Sequence, residues 1–333
     1  MTRRIKWLDI AKGIGILSII AGHYGGDSKV YSYLYSFLTA YHVGIFFIIS
    51  GYTLKKKDIT KELLKKKFSS LMKPYFITCL ILTILLIVKF LLVGNNYGYT
   101  SIPDILKKMI INTLFMSGYN TAFFNIELYT CIGAVWFLPA LFTADIITLY
   151  LLNKTGKLAH WLISLLLAVI AVFSAKHFWL PFSIQSALLA VIFVLSGYYL
   201  KEEDILNKIP VCLYPVMAVL LFVCVYFKVA GMHFVDATLD NVLLSPICCI
   251  SASLLIFKIS SFLENITPLL WIGQNSLYIL CVHLILLKTH LVDSIVRRLS
   301  LPGFIYYFVI MSSLCLTITF IYKIMKLLKK TEN

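Results

Sequence analysis

Two ionisable side chains, Lys12 and His23, lie in the first apolar segment of the chain. They are eleven residues apart, so in an α-helix both lie on one face, about 16 Å apart along the axis. Asp9 lies one turn before Lys12, close to the same face. An ionisable group in a bilayer costs about 2.5 kcal/mol or more, so such a stripe indicates an active site or a conduit. His23 is a candidate general base for a hydroxyl nucleophile. Asp9 is a second catalytic candidate, with an ion pair to Lys12 as its structural alternative.

Three more side chains suited to chemistry, His42, Trp136 and His283, come from three other apolar segments. With the topology described below, they lie at the depth of His23. A group near a general base can orient it or stabilise an oxyanion, and histidine titrates near neutral pH. Each residue alone is typical of helix packing or of an interfacial aromatic belt. Together they predict one site, with His42 catalytic and with Trp136 and His283 contacting the substrate.

Lysines are concentrated in the opposite half of the predicted membrane domain. Lys12, Lys66, Lys67 and Lys73 are candidates for binding a polyanionic cofactor such as coenzyme A, whose phosphates require positive charge. The same lysines are also expected from the excess of basic residues in cytoplasmic loops. The pattern predicts no metal site, since no cysteine and histidine spacing suited to a metal occurs.

Two polar residues are further candidates for substrate binding. Asn275 lies in the segment Trp271–His283, where small and amide residues allow either helix packing or a cavity wall. Glu127 lies in the long segment 94–130, which is rich in Gly, Asn and Tyr and would suit a sugar-binding surface.

The composition is that of an integral membrane protein. The 333-residue chain is 60% hydrophobic and 14% charged, with a mean hydropathy of +0.89, whereas a soluble domain is nearer half apolar and a quarter charged. Stretches of this hydropathy and length predict an all-α fold of about ten transmembrane helices in a single polytopic domain, 1–333. They cover residues 8–25, 36–54, 71–93, 131–152, 159–175, 183–200, 210–228, 240–263, 268–288 and 303–325.

The charge distribution predicts the orientation of these helices. If the N-terminus is cytoplasmic, 21 of the 30 basic residues fall on the cytoplasmic side, which supports both termini inside. The net charge of +15 then reflects orientation and attraction to anionic lipid. It does not indicate nucleic-acid binding, which needs a soluble basic face.

One pattern occurs twice: Phe47–Lys55 and Phe193–Lys201 both contain Ser-Gly-Tyr followed by a lysine. A parallel repeat of about four helices would produce it. Small residues for helix packing, an interfacial tyrosine and a cytoplasmic lysine would also produce it.

Four segments resemble, in order, the signature motifs of the membrane acyltransferase 3 family, in particular its branch related to fucose 4-O-acetylase. They are Asp9–Gly15 with Gly22–His23, Tyr41–Tyr52, Trp136–Phe142 and Trp271–His283. In many family members an arginine occupies the position of Lys12, and lysine keeps that charge without the bidentate fork.

This resemblance implies transfer of an acyl group, usually acetyl from cytoplasmic acetyl-CoA, to a hydroxyl of a surface or envelope polysaccharide or its lipid-linked precursor. Acetyl-CoA is then the expected cofactor, and a glycan the expected acceptor, in the plasma or inner membrane of a bacterium. His23 would act as general base or carry the acyl group. Homo-oligomers and glycan-assembly partners both remain open.

Two other classes fit the same features less well. An exporter of a polysaccharide or small anion would also use a polar conduit with basic ends, but no convincing inverted repeat is present. A membrane scaffold for glycan assembly would make no use of His23.

Overall fold

The computed structural model describes residues 4–24, 28–94, 99–118, 121–123, 126–128, 132–298 and 303–331. Helices dominate it, and the protein is an all-α integral membrane protein. The first helices are α1 (Lys6–Gly22), α2 (Lys29–Tyr41), α3 (Gly44–Thr53), α4 (Lys61–Val93), α5 (Ile102–Phe115), α6 (Phe137–Lys154), α7 (Lys157–Ala175) and α8 (Ile184–Glu202). They are followed by α9 (Ile205–Lys208), α10 (Leu213–Tyr226), α11 (Leu244–Phe262), α12 (Thr267–Gln274), α13 (Ser276–Lys288), α14 (Leu291–Arg298) and α15 (Phe304–Thr331).

Two small antiparallel hairpins interrupt the helices. Strand β1 (Thr121–Phe123) pairs with β2 (Ile126–Leu128), and β3 (Met232–His233) pairs with β4 (Thr238–Leu239). A 3-10 turn, Ala134–Trp136, leads directly into α6.

Within the described ranges, seven helical segments are long and apolar enough to cross a membrane. They are Lys29–Thr53, Lys61–Val93, Ala134–Lys154, Lys157–Ala175, Ile184–Glu202, Leu244–Phe262 and Phe304–Met325. The pair α12 and α13, bent by 73° at Asn275, makes eight if it is one span. All ten predicted stretches contain helix, but α1 with 17 residues and α10 with 14 are shorter than the seven spanning segments. The count of ten and the cytoplasmic termini stay predictions.

The interior of the domain is built around α1, α3 and α8. In α8, 67% of the apolar window is buried, against 17% in the neighbouring α7, so α7 presents its side chains outward. Helix α1 contacts α11, α12, α13 and α15 as well as α2 and α3. This central position explains why its polar residues face protein rather than lipid.

The repeated Ser-Gly-Tyr segments of α3 and α8 pack directly against each other. A Cβ on Gly51 would lie 1.8 Å from the carbonyl oxygen of Val194, and one on Gly197 would lie 1.9 Å from that of Ile48. The two backbones therefore touch at the glycines, a contact that larger residues would prevent. This reciprocal contact supports the packing interpretation of the pattern.

A second glycine contact joins the first and late motifs. A Cβ on Gly273 of α12 would lie 1.6 Å from the carbonyl oxygen of Asp9, and one on Gly13 of α1 would lie 2.7 Å from that of Leu269. Residues more than 250 positions apart in sequence thereby hold the start of α1 against α12.

The lysines between Lys61 and Lys73, before the third predicted span, are part of α4, which runs without a break from Lys61 through Pro74 to Val93. Helix α5, at 14 residues, is too short to span and packs against α4. At its start the Asp104 carboxylate accepts hydrogen bonds from the Thr100 N–H and from Lys108 Nζ, both at 3.0 Å. These bonds, the Thr100 N–H first, hold the pKa of Asp104 below its ordinary value.

Candidate active site

His23 follows the last residue of α1, and its imidazole folds back on the helix. Its Nδ1 lies 2.8 Å from the carbonyl oxygen of Ile19, one of the last carbonyls of a helix, which have no partner within the helix. Because a carbonyl can only accept, Nδ1 carries the proton and Nε2 keeps its lone pair. His23 is thus fixed in the tautomer that makes Nε2 the basic nitrogen.

His42 has the same arrangement at the end of α2. Its Nδ1 lies 2.7 Å from the carbonyl oxygen of Leu38, so its Nε2 also carries the lone pair. That Nε2 lies 4.0 Å from the position that a Cβ on Gly22 would occupy. The two basic nitrogens therefore belong to adjacent helix ends.

Both histidines line one cavity of about 300 Å³, here called the histidine cavity. Its wall also includes Tyr35, Trp136, His233 and Lys288. The indole of Trp136 is held in place by Gly118, where a Cβ would lie 2.0 Å from its Cδ1. The predicted convergence of His23, His42 and Trp136 is thus present in the structure.

His283 lies behind His23 rather than in the wall of this cavity. Its side chain is fully buried, and its Nε2 lies 3.5 Å from His23 Nδ1, with ring centroids 5.0 Å apart. A residue in this position can orient the His23 ring, whereas contact with a substrate in the cavity would need exposure to it. His283 is thus a neighbour of the base behind the cavity wall, and its predicted contact with the substrate stays a prediction.

At the other end of α1, Asp9 forms an ion-pair network. Its carboxylate accepts from Arg4 Nε at 2.6 Å and from Lys12 Nζ at 3.2 Å, and Asp9 itself is 1% exposed. Asp9 is separated from His23 by most of the length of α1. At this distance Asp9 cannot exchange protons directly with the basic nitrogens. The geometry therefore favours the ion pair as its role, and its predicted catalytic role stays a prediction.

A second cavity, of about 570 Å³, opens beside this network and is here called the cationic mouth. Basic residues from separate parts of the chain line it: Arg4, Lys12, Lys55 and Lys201. Because Lys55 and Lys201 follow or end the helices α3 and α8, the C-terminal ends of these helices lie at the same end of the domain. This convergence makes a site for a polyanion.

A third cavity of about 310 Å³, the middle cavity, lies between the other two. It shares Arg4, Lys12 and Thr53 with the cationic mouth. It shares Ile19, Phe137 and Leu280 with the histidine cavity. These shared walls place the three cavities in a row through the domain, from the cations to the histidines, with apolar side chains between the middle and histidine cavities.

A comparison with protein-family models matches residues 5–324 to an acyltransferase domain, Acyl_transf_3. The chain belongs to this family. The match covers almost the whole sequence, which makes the protein a multi-pass membrane acyltransferase. No curated protein and no solved structure matched the chain in the corresponding comparisons.

The four lysines predicted to bind the cofactor have different surroundings in this acyltransferase. Lys12 lines the cationic mouth, but Lys66 and Lys73 are exposed on α4 and line neither this mouth nor the other two cavities. Lys67 Nζ contacts the buried Asp145 at 2.6 Å. Because Asp145 also accepts from Ser50 Oγ at 2.8 Å, Lys67 ties α4 to α6 and α3 and is not available for phosphate.

The two polar residues predicted to bind the substrate, Asn275 and Glu127, lie at a helix break and in a strand. Asn275 lies at the break between α12 and α13, 5% exposed, and its side chain donates to the carbonyl oxygen of Trp271 at 2.8 Å. It stabilises the bend rather than lining a cavity. Glu127 lies in β2 opposite Ala122, and its predicted role in substrate binding stays a prediction.

Sequence reasoning missed Arg4 and His233 as site residues. Arg4 precedes α1 and resembles an ordinary cytoplasmic charge until its contact with Asp9 is seen. His233 lies in a short hairpin between helices, and no hydrophobic periodicity in this part of the sequence indicates its position. Lys55 and Lys201 did have a signal, since each closes a Ser-Gly-Tyr segment.

Proposed function

We propose that this membrane acyltransferase moves an acetyl group from cytoplasmic acetyl-CoA to a hydroxyl of a cell-surface or envelope polysaccharide or its lipid-linked precursor. The observation that carries the proposal is the path from the cationic mouth to the histidine cavity. A donor with a phosphorylated head and a long thin arm fits a site with cations at one end and catalytic bases at the other.

The phosphates of the donor bind at Arg4, Lys12, Lys55 and Lys201, where positive charge is concentrated. The pantetheine arm follows the middle cavity, whose wall includes the apolar Phe137 and Leu280. The distance from Lys12 to His23, about 16 Å along α1, then brings the thioester to the histidine cavity.

In the transfer step the acceptor hydroxyl gives its proton to Nε2 of His23 while its oxygen attacks the thioester carbonyl carbon. The carbon–sulfur bond breaks, and the sulfur leaves as the thiol of coenzyme A after taking the proton back from Nε2. Alternatively, His23 Nε2 attacks the thioester carbonyl carbon and expels the thiolate of coenzyme A. The acceptor oxygen then takes the acetyl group from Nε2, and the hydroxyl proton passes through the released Nε2 to the thiolate. Both routes require the lone pair on Nε2 that the Ile19 carbonyl enforces.

The test compares surface glycans from a deletion strain complemented with the wild-type gene, His23→Ala or His177→Ala. His177 is exposed after the end of α7 and serves as the matched control. Removal of a general base is expected to lower the transfer rate about 10²- to 10⁴-fold, so O-acetyl signals in the NMR spectrum disappear for His23→Ala alone.

Membrane abundance of each variant is measured in parallel, and purified protein is assayed with radiolabelled acetyl-CoA. Full acetylation by a stably expressed His23→Ala variant contradicts the proposal. Glycan retained inside the deletion strain, with its acetylation unchanged, indicates export instead. A preference for succinyl-CoA over acetyl-CoA in the purified assay corrects the donor while keeping the transferase.

A further inference from the structure

The hairpin formed by β3 and β4 contributes a third imidazole to the histidine cavity. His233 lies on β3 between Met232 and Phe234, which are 1% and 2% exposed. These two buried neighbours anchor the hairpin in the domain, and His233 lies with them in the wall of the histidine cavity. Phe234 packs between Phe47 and Phe193, with ring centroids 5.0 and 5.2 Å apart.

Asp240, just after β4, is the partner of His233. His233 Nε2 lies 3.2 Å from Asp240 Oδ1, and the side chains are 25% and 30% exposed. A carboxylate accepts, so Nε2 carries the proton, and in the neutral ring Nδ1 keeps the lone pair. This differs from His23 and His42, which are both held by a backbone carbonyl of their own helix.

Two hydrogen bonds between Gly231 and Asp240 join the two ends of the hairpin without any contribution from His233. The N–H of Gly231 donates to Asp240 Oδ2 at 2.8 Å, and the N–H of Asp240 donates to the Gly231 carbonyl oxygen at 3.1 Å. A Cβ on Gly231 would lie 2.3 Å from Asp240 Oδ2, so this contact depends on glycine. Since Asp240 is already fixed by Gly231, the imidazole is free to serve the cavity.

The β3–β4 hairpin and the cationic mouth lie at opposite ends of α1. The cationic mouth, where the donor phosphates bind under the proposed function, lies at the start of α1, and the hairpin lies with His23 at its end. A second substrate that enters the histidine cavity without passing the cations meets His233 and Tyr35 in its wall. These groups bind hydroxyls by hydrogen bonds.

We propose that His233, oriented by Asp240, binds a hydroxyl of the acceptor and that the β3–β4 hairpin is the acceptor site for a saccharide. This inference rests on the proposed function. His233 Nδ1 accepts the hydrogen bond of one saccharide hydroxyl and so positions the sugar, while the hydroxyl that reacts keeps its own proton for Nε2 of His23.

The experiment measures steady-state transfer from radiolabelled acetyl-CoA to surface polysaccharide isolated from the deletion strain, with purified protein in lipid nanodiscs. The variants are His233→Ala, His233→Gln and Asp240→Asn. The control is Asp293→Asn, which removes the carboxylate of a second His–Asp pair, with His290 at 3.1 Å, that does not line the cavity.

His233→Ala is expected to raise the KM for polysaccharide about three- to tenfold, the change for one lost hydrogen bond. The KM for acetyl-CoA stays at the wild-type value. His233→Gln restores part of the loss because its amide donates to Asp240 and its oxygen accepts from a hydroxyl. Asp240→Asn acts like His233→Ala, since an amide that donates to Nε2 moves the proton to Nδ1.

A structural role for His233 would lower kcat in proportion to the folded fraction, with no rescue by glutamine, and this result overturns the inference. An unchanged KM for polysaccharide in all three variants also overturns it. Wild-type protein that transfers no acetyl group to the polysaccharide overturns the proposed function, and the acceptor assignment with it. Thermal unfolding of each variant in detergent separates misfolding from lost binding.

Discussion

At the residue scale, the two basic nitrogens owe their state to where each histidine stands relative to a helix end. A helix leaves its last four carbonyls without helical partners. His23 and His42 each follow the final residue of a helix and donate Nδ1–H to the carbonyl four residues earlier. The Ile19 carbonyl gains a partner in this way, whereas the Leu38 carbonyl also accepts from the backbone N–H of His42 at 2.9 Å. Both imidazoles gain a fixed tautomer from a carbonyl of their own helix, so the tautomer of each base is a local property of the sequence.

Asp9 is the residue at which the predicted and observed roles differ most. Sequence spacing placed it on the stripe of Lys12 and His23, which is compatible with catalysis, but the contact to Arg4 defines a different role. In this position the carboxylate aligns two cations at the mouth, and the cations compensate its burial.

Asp9→Asn is expected to raise the KM for acetyl-CoA and to lower the free energy of unfolding by about 1–2 kcal/mol, with little change in kcat. The reason is that Arg4 and Lys12 lose their shared anchor while the histidine cavity stays intact. Steady-state kinetics and thermal unfolding in detergent provide the measurements. Asp104→Asn, in the half-buried ion pair with Lys108 of α5, is the control. A fall of kcat by 10²-fold or more would support a catalytic role for Asp9.

At the scale of elements, glycines set how closely the central helices approach. Gly51 and Gly197 bring α3 against α8, while Gly13 and Gly273 bring α1 against α12. In a bilayer, helix association depends on such close packing rather than on a hydrophobic driving force. The first contact aligns Lys55 with Lys201, and the second holds Asp9 at the mouth. The motif glycines thus allow close contact between the central helices, and the arrangement of the residues at the cationic mouth depends on this contact.

Gly51→Ala is expected to destabilise the protein by about 1–3 kcal/mol, because its methyl group would overlap the Val194 carbonyl and force the helices apart. Gly156→Ala is the matched control, since no atom lies within 4 Å of its added Cβ, and it should change stability by less than about 1 kcal/mol. Thermal unfolding of both variants in one detergent compares them. Equal melting temperatures would show that α3 and α8 tolerate a wider separation.

At the scale of the whole molecule, the three cavities lie in a row between the two ends of α1. Ile19, Phe137 and Leu280 stand between the middle and histidine cavities. A narrow apolar section of this kind admits a thin chain and excludes a hydrated polymer, so donor and acceptor would approach from opposite ends. The arrangement would transfer only the acyl group across the domain.

Leu280→Trp is expected to lower kcat at least tenfold, since a larger side chain at this shared wall closes the passage, while acetyl-CoA still binds at the mouth. Calorimetric binding of coenzyme A and the transfer assay separate the two effects. Leu165→Trp, at a position 55% exposed on α7, provides the control. Unchanged transfer by the Leu280 variant would show that the arm takes another route.

The sequence by itself determined the membrane character and the shared face of Lys12 and His23. These follow from hydropathy and from the 3.6-residue period, both of which act within one segment. The family followed from the resemblance of four short motifs. Trp136 and His42 were also found, since their motifs lie at the ends of apolar runs.

Only the tertiary structure decided which of the candidates meet. The pairing of Lys67 with Asp145 joins residues 78 positions apart, and the contact of His283 with His23 joins residues 260 apart. The place of His233 depends on Phe234 packing between two other helices. Such contacts result from the packing of many segments at once, and no periodicity within a single segment encodes them.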